Sequence, residues 1–218
     1  MSLSDQLKQN KANSVKRIPA EIRSIMMQAS QALAATDIGS LAPKVGDEFP
    51  DFNLVNHLEQ SRSLSHYLSD GPAVITFYRG GWCPYCNLEL RAYQQDIELF
   101  KEMGASIVAI SPQLPDSSLS TQEKNDLAFD VLSDIGLEYS RQLDLVFSLD
   151  EKLKPIYKDF GIDLSAYNGD STFALPIPAT FLVDTKGKVA SAHIDIDYTQ
   201  RQEPSELLAL VKTLSWQT

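Results

Sequence analysis

Two cysteines, Cys83 and Cys86, stand three positions apart and are the only cysteines among the 218 residues. They follow residues 73–78, an apolar run that predicts a buried strand, and Pro84 between them suits the first position of a helix. At a helix N-terminus the unpaired N–H groups and the helix dipole favour the thiolate, which is the nucleophilic form of cysteine. With Cys83 at the cap, the two sulfurs can form and reopen a disulfide. The pattern predicts a catalytic dithiol.

Other roles for a cysteine pair fit this sequence less well. Two cysteines are too few for the disulfide scaffold of a small secreted protein. A structural zinc site needs four ligands, and the histidines His57, His66 and His193 lack the paired spacing that completes one. We therefore expect no metal and no cofactor, with metal binding and inert buried thiols as the weaker alternatives.

The overall charge and hydropathy exclude several classes of partner. A formal net charge of -10 argues against a nucleic-acid surface and against docking on acidic membranes. No run approaches the ~20 apolar residues of a membrane-spanning helix. The first six residues are polar and lack the apolar core of an export signal, so we expect a cytoplasmic protein.

Strands and helices alternate around the dithiol. Apolar periodicity predicts helices over residues 18–35, 63–68, 84–103, 118–127, 151–160 and 203–214. Compact apolar or alternating runs predict strands over residues 52–55, 73–78, 105–111, 131–133, 180–184 and 188–194. The order of strand, helix and strand around the cysteines implies a parallel pair and an α/β fold.

The N-terminal part reads as an extension of the α/β domain. A linker with glycines and prolines over residues 39–50 predicts an extension over 1–42 and a domain over 43–218. The amphipathic helix over 18–35 either packs on its own domain, which we favour, or covers a partner subunit in a homodimer. The polar residues ahead of it are expected to fray, and residues 161–175 are expected to form a loop.

Two side chains near the dithiol are candidates for substrate binding. Trp82 offers a flat apolar surface beside the attacking sulfur, although plain core packing explains a tryptophan equally well. Arg79 would supply positive charge to the sulfur, but a solvated surface charge is the more common role for such a residue.

At these residues the sequence resembles the thioredoxin superfamily. The resemblance rests on Trp82-Cys83-Pro84-Tyr85-Cys86 and on Pro178-Ala179-Thr180-Phe181-Leu182-Val183-Asp184. More narrowly, the stretches at residues 45–54, 74–78 and 186–189 resemble the peroxiredoxins, the alkyl hydroperoxide reductase and thiol-specific antioxidant group. The resemblance implies a thioredoxin fold, a three-layer α/β/α arrangement with a central mixed sheet, carrying the N-terminal helical extension.

The two branches of the superfamily assign the cysteines differently. The peroxiredoxin pattern puts Cys86 in the peroxidatic place, Cys83 where a hydroxyl residue is usual and Arg79 where a proline is usual, and the family's later arginine falls at Pro178. The thioredoxin-like pattern makes Cys83 the exposed nucleophile and Cys86 the resolving thiol. It also implies that Pro178 follows a cis peptide bond and lies against the dithiol as part of the substrate site.

The resemblance implies a thiol peroxidase that reduces hydrogen peroxide and organic hydroperoxides through Cys83 and Cys86. A thioredoxin- or glutathione-type electron donor would restore the dithiol, and Trp82, Pro178 and Arg79 would contact the substrate. The alternatives are a thioredoxin-like protein disulfide reductase with Cys83 as nucleophile and a non-enzymatic redox sensor.

Overall fold

The computed structural model describes residues 1–214, so the last four residues of the predicted domain 43–218 lie outside the described residues. The strands are β1 Asn53–Asn56, β2 Ser61–Ser63, β3 Ala73–Phe77, β4 Ser106–Ser111, β5 Asp130–Ser133, β6 Val146–Ser148, β7 Ala174–Pro176, β8 Ala179–Val183 and β9 Val189–Ile194. The helices are α1 Leu3–Arg17, α2 Ala20–Ala34, α3 Leu64–Leu68, α4 Pro84–Gln95, α5 Ile97–Glu102, α6 Pro115–Asn125, α7 Glu138–Gln142, α8 Leu153–Asp159, α9 Leu164–Asn168 and α10 Pro204–Leu214. Within the described residues no helix has the length and apolarity to cross a membrane.

A seven-stranded mixed sheet forms the centre of the structure, in the order β2-β1-β5-β4-β3-β8-β9. Strand β3 runs parallel to β4 and antiparallel to β8, with Ile75 opposite both Val108 and Phe181. Strands β6 and β7 form a separate antiparallel pair. The expected thioredoxin fold with a central mixed sheet is confirmed.

Strand β3 joins the two hydrophobic cores of this fold. Its five side chains are all buried, as expected for a central strand covered on both faces. Because neighbouring side chains of a strand point to opposite faces, Val74 packs in the core that contains the cysteines. Ile75 and Phe77 pack in the core on the other face. The two cysteines follow shortly after the end of β3 in the sequence.

The helix predicted over 84–103 is two helices, α4 and α5, separated at Asp96. The backbone of Asp96 leaves the helical region, with φ −103° and ψ 9°. Tyr93 before the break and Phe100 after it are both fully buried in one core, with ring centroids 6.5 Å apart. No glycine or proline marks the break, so the apolar periodicity continues through it.

The prediction that the residues ahead of the N-terminal helix fray is wrong, because they form α1. Leu3 and Leu7 are buried in the core that holds the cysteines. The carboxylate of Glu203 accepts hydrogen bonds from the N–H groups of Leu3 and Ser4, at 3.2 and 2.6 Å, and so pairs donors at the start of the helix. Helix α2 matches the predicted helix and packs on α8 of its own chain, although none of its side chains is fully buried.

The prediction that residues 161–175 form a loop is also partly wrong. Helix α9 begins after Asp163, whose side chain accepts a hydrogen bond from the N–H of Ala166 at 3.0 Å. Strand β7 then starts at Ala174 and pairs with β6. Both elements are too short to show a clear period in the sequence.

Candidate active site

Cys83 and Cys86 lie at the N-terminal end of α4, immediately beyond the central strand. Cys83 is the N-cap residue, with an extended backbone at φ −86° and ψ 116°, and Cys86 lies in the first turn. Both are free thiols, with 2% and 0% of their surfaces exposed. The expectation that Cys83 is exposed is therefore wrong, because Trp82 and Tyr198 pack against the cluster that contains both cysteines.

Gly80 permits the close packing of Trp82 at this turn. The φ of Gly80 is +146°, a value that other residues rarely adopt. A Cβ atom at this position would collide with the indole nitrogen of Trp82. Trp82 is half-buried and packs edge-on against Tyr157, with 5.6 Å between the ring centroids.

Arg79 is buried beside the dithiol, with 4% of its surface exposed, so its interpretation as a solvated surface charge is wrong. Its guanidinium carbon lies 4.4 Å from the ring centroid of Tyr198 and 5.0 Å from that of Trp82. Its Nη2 atom donates a hydrogen bond to the hydroxyl of Tyr157. Within residues 1–214 Arg79 forms no ion pair with a carboxylate, and its Nε atom has no acceptor. Since a buried charge needs a partner, a Cys83 thiolate is the anion that this position favours.

A second buried arginine, Arg201, contacts the other cysteine. Its Nη2 atom lies 3.4 Å from the sulfur of Cys86, and its Nε atom donates to the carboxylate of Glu89 at 2.5 Å. Both side chains of this ion pair are 1% exposed. Burial raises the pKa of Glu89 to about 7, and the charge of Arg201 opposes that rise. Glu89 lies one helical turn after Cys86 on α4, whereas Arg201 comes from the loop before α10.

The environment separates the acidities of the two thiols. The pKa of Cys83 is lowered to about 6, first by hydrogen bonding from the Cys86 thiol and then by the charges of Arg79 and Arg201, while burial opposes the shift. Burial and the neighbouring Cys83 raise the pKa of Cys86 well above its ordinary value. These shifts favour ionisation of Cys83 over that of Cys86.

Pro178 lies just before β8 and lines a cavity together with Arg79 and Tyr198. The expectation of a cis bond before it is wrong, because the described residues contain no cis peptide bond. Ile177 continues the extended chain from β7, and its N–H donates to the carbonyl of Leu145 at 2.7 Å.

Sequence reasoning missed four residues of this site: Glu89, Tyr157, Tyr198 and Arg201. The position of Glu89 one helical turn after Cys86 was a usable signal, since residues at this spacing share a helix face. The other three come from segments far along the chain, and nothing near them in the sequence indicates the dithiol. No group of three or more His, Cys, Asp or Glu side chains suited to a metal ion occurs in the part of the chain that the structure describes.

Two free cysteines at the start of the helix that follows the central strand of a thioredoxin fold define a thiol-dependent oxidoreductase. Residues 45–192 match the AhpC/TSA family, and the chain belongs to that family. Chloroplastic peroxiredoxin Q of Populus jackii is 27% identical over 169 residues, which cover 78% of this chain and 68% of that protein. The expected resemblance to the peroxiredoxins is confirmed, and the chain is an oxidoreductase that acts on peroxides.

Solved structures show the same fold. The crystal structure of peroxidoxin BcpB from Mycobacterium tuberculosis aligns with a TM-score of 0.62 at 24% identity and covers 79% of this chain and 98% of that one. Thioredoxin peroxidase I of Plasmodium yoelii aligns with a TM-score of 0.59 at 17% identity and covers 79% of this chain and 91% of that one.

Proposed function

We propose that this thiol peroxidase uses Cys83 as the thiolate that attacks the peroxide and Cys86 as the thiol that resolves the product. The observation that carries this assignment is the position of Arg79, a buried cation beside Cys83 without a carboxylate partner among the described residues. The pKa of Cys83 is lowered to about 6, first by the hydrogen bond from the Cys86 thiol and then by the charge of Arg79, which stabilises the thiolate.

In the first step the Cys83 thiolate attacks the terminal oxygen of the hydroperoxide. A sulfur–oxygen bond forms, the O–O bond breaks, and the sulfur loses two electrons to become a sulfenic acid. The leaving alkoxide or hydroxide takes a proton from solvent. Arg79 is suited to stabilise this developing negative charge, and Trp82 and Pro178 would form the apolar surroundings of the substrate.

In the second step the Cys86 thiol attacks the sulfenic sulfur of Cys83, which releases water and leaves a Cys83–Cys86 disulfide. Cys86 must lose its proton for this attack. The guanidinium of Arg201, 3.4 Å from the sulfur of Cys86, would stabilise the thiolate as it forms. The ion pair with Glu89 holds that guanidinium in place.

A thioredoxin- or glutathione-type thiol would then reduce the disulfide by exchange. Membership of the AhpC/TSA family favours the peroxidase over a protein disulfide reductase or a redox sensor. We further propose a cytoplasmic location, where the dithiol is kept reduced. We also propose that residues 1–42 form an extension of the domain. A homodimer stays a prediction, which light scattering of the purified protein would test.

The test compares two activities of the reduced protein. Stopped-flow mixing with hydrogen peroxide should show a fast second-order reaction, while the rate of insulin disulfide reduction should stay near that of the uncatalysed control. Rapid insulin reduction together with slow peroxide consumption would instead identify a disulfide reductase.

A further inference from the structure

We propose that Gln113 and Asn87 are positioning residues for the second step of the reaction, the closure of the disulfide. They bind the turn formed by residues 80–83, which is called the cysteine turn below. Within this turn the N–H of Cys83 donates to the carbonyl of Gly80 at 3.0 Å. The inference rests on the proposed function and adds that the disulfide closes while α4 stays folded.

Side chains bind both backbone groups of Gly81, in the middle of the cysteine turn. Its N–H donates to the Oε1 atom of Gln113 at 2.7 Å, and its carbonyl accepts from the Nδ2 atom of Asn87 at 2.8 Å. A residue has only one main-chain donor and one main-chain acceptor. The two side chains therefore fix the peptide planes on both sides of Gly81, directly ahead of the cysteines.

Asn87 also connects the cysteine turn to the helix. Its backbone N–H donates to the carbonyl of Cys83 at 3.1 Å and so closes the first turn of α4, the turn that contains Cys86. Through its side chain and its backbone, Asn87 binds the carbonyls of Gly81 and Cys83 at once. The position of the Cys83 sulfur relative to Cys86 depends on both bonds.

Helix α6 supports this arrangement from behind. The Nδ2 atom of Asn125 donates to the Oδ1 atom of Asn87 at 3.0 Å, and the hydroxyl of Thr121 lies 3.4 Å from the Oε1 atom of Gln113. A Cβ atom at Gly81 would collide with that hydroxyl, so α6 also packs directly on the cysteine turn. All four polar side chains are buried, and buried hydrogen-bond networks of this kind restrict the conformation of the groups they bind.

Gln113 occupies its position at a cost to stability. The side chain is fully buried, yet its Nε2 atom has no acceptor among the described residues. A buried donor without a partner destabilises a protein, and an apolar side chain of similar shape would avoid that penalty. The bond from Gly81 to Gln113 therefore explains this glutamine better than a contribution to stability does.

The step that depends on this geometry is the attack of Cys86 on the sulfenic acid of Cys83. A sulfur–sulfur bond forms and the sulfur–oxygen bond breaks, and the leaving hydroxide combines with the proton of the Cys86 thiol to give water. The attacking sulfur must lie in line with the bond that breaks, so a small shift of the cysteine turn slows the reaction. Because the two thiols are already hydrogen-bonded in the reduced protein, the sulfurs can meet without unfolding of α4.

The test measures the two steps separately in Gln113→Met and Asn87→Leu, which replace each amide by an apolar side chain of similar size. Gln94→Met is the matched control. The Oε1 atom of Gln94 also accepts a backbone N–H at 2.7 Å, that of Ala128, but Gln94 lies near the other end of α4. Stopped-flow mixing with hydrogen peroxide near pH 9, where Cys83 is ionised, gives the rate of oxidation. Quenching with dimedone, followed by mass spectrometry, gives the lifetime of the sulfenic acid.

In Gln113→Met and Asn87→Leu we expect disulfide formation to slow by about tenfold or more, while the oxidation rate changes by less than about twofold. Sulfenic acid should therefore accumulate on Cys83. Both variants should also raise the pKa of Cys83, read from the thiolate absorbance, because the hydrogen bond from Cys86 depends on the same turn. A loss of stability alone would not shift this pKa. Gln94→Met should change none of these quantities.

Disulfide formation at the natural rate in either variant, or equal slowing of both steps, would overturn the inference. Unfolding of Gln113→Met, read by circular dichroism, would overturn it as well, because the glutamine would then serve stability. Failure of Cys86→Ser to form a sulfenic acid on Cys83 would instead overturn the proposed function.

Discussion

Replacing Arg79 by glutamine should raise the pKa of Cys83. The guanidinium of Arg79 is the first charged group that lowers this pKa, after the hydrogen bond from the Cys86 thiol. Removing a nearby buried charge commonly shifts a pKa by about 1–3 units, so we expect the pKa of Cys83 in Arg79→Gln to rise from about 6 to about 7.5.

The loss of activity in Arg79→Gln should depend on pH. At pH 7 the thiolate fraction of Cys83 would fall from about nine-tenths to about one-quarter, which lowers the peroxide rate roughly fourfold. Near pH 9 Cys83 would be almost fully ionised in both proteins. Any deficit that persists there measures the stabilisation that Arg79 gives to the leaving oxygen.

The assay combines the ultraviolet absorbance of the thiolate with the peroxide rate, each measured against pH. Arg79→Lys should keep part of the pKa shift because it retains the charge. Arg141→Gln is the matched control, since Arg141 is exposed and its side chain forms no hydrogen bond among the described residues. A Cys83 pKa still near 6 in Arg79→Gln would refute the role assigned to the buried guanidinium.

Three further predictions concern stability, each read by urea unfolding. Leu7→Ala should lower the free energy of unfolding by about 2–5 kcal/mol, because the Leu7 side chain is buried in the core beside α4. A decrease under about 0.5 kcal/mol would mean that α1 does not pack on this core. Glu89→Ala should lower the free energy of unfolding by about 3–5 kcal/mol because it removes the acceptor of the buried Arg201 Nε atom, whereas Glu98→Ala, which removes an exposed pair, should lower it by about 1 kcal/mol or less. Because folding lowers the pKa of Cys83 from about 9 to about 6, its ionisation should add stability as the pH rises through this range and lose it as the pH falls. The stability difference between the natural protein and Cys83→Ser should therefore grow between pH 6 and pH 9, and a constant difference would contradict the lowered pKa.

The strands and the position of the dithiol could be predicted because their signals are local. Strand β3 is a continuous apolar run, and Pro84 marks the start of α4 within the cysteine motif itself. Strong local patterns of this kind survive in the folded protein because the central strand and the helix after it have no other way to bury their apolar faces.

The surroundings of the dithiol could not be predicted, because they depend on contacts between distant segments. Arg79 looks like a surface charge until Tyr157 and Tyr198 are placed over its guanidinium. Arg201 contacts Cys86 across a sequence separation of 115 residues. Helix α1 has few apolar residues, so its burial becomes evident only when Glu203 is placed at its N-terminus.

The choice of the attacking cysteine could not be predicted from the sequence either. The sequence offers two family patterns, and each assigns the attack to a different cysteine. The hydrogen bond from the Cys86 thiol favours Cys83, since it lowers the pKa of Cys83 and raises that of Cys86, whereas Arg79 and Arg201 lower the pKa of both thiols.

The most direct test of this assignment is mass spectrometry of the two single-cysteine variants after addition of one equivalent of hydrogen peroxide. In Cys86→Ser we expect a rapidly formed oxygen adduct on Cys83. In Cys83→Ser we expect little reaction, because burial keeps the Cys86 thiol protonated. An adduct on Cys86 that forms in Cys83→Ser as fast as the natural protein reacts would contradict the account and make Cys86 the peroxidatic residue.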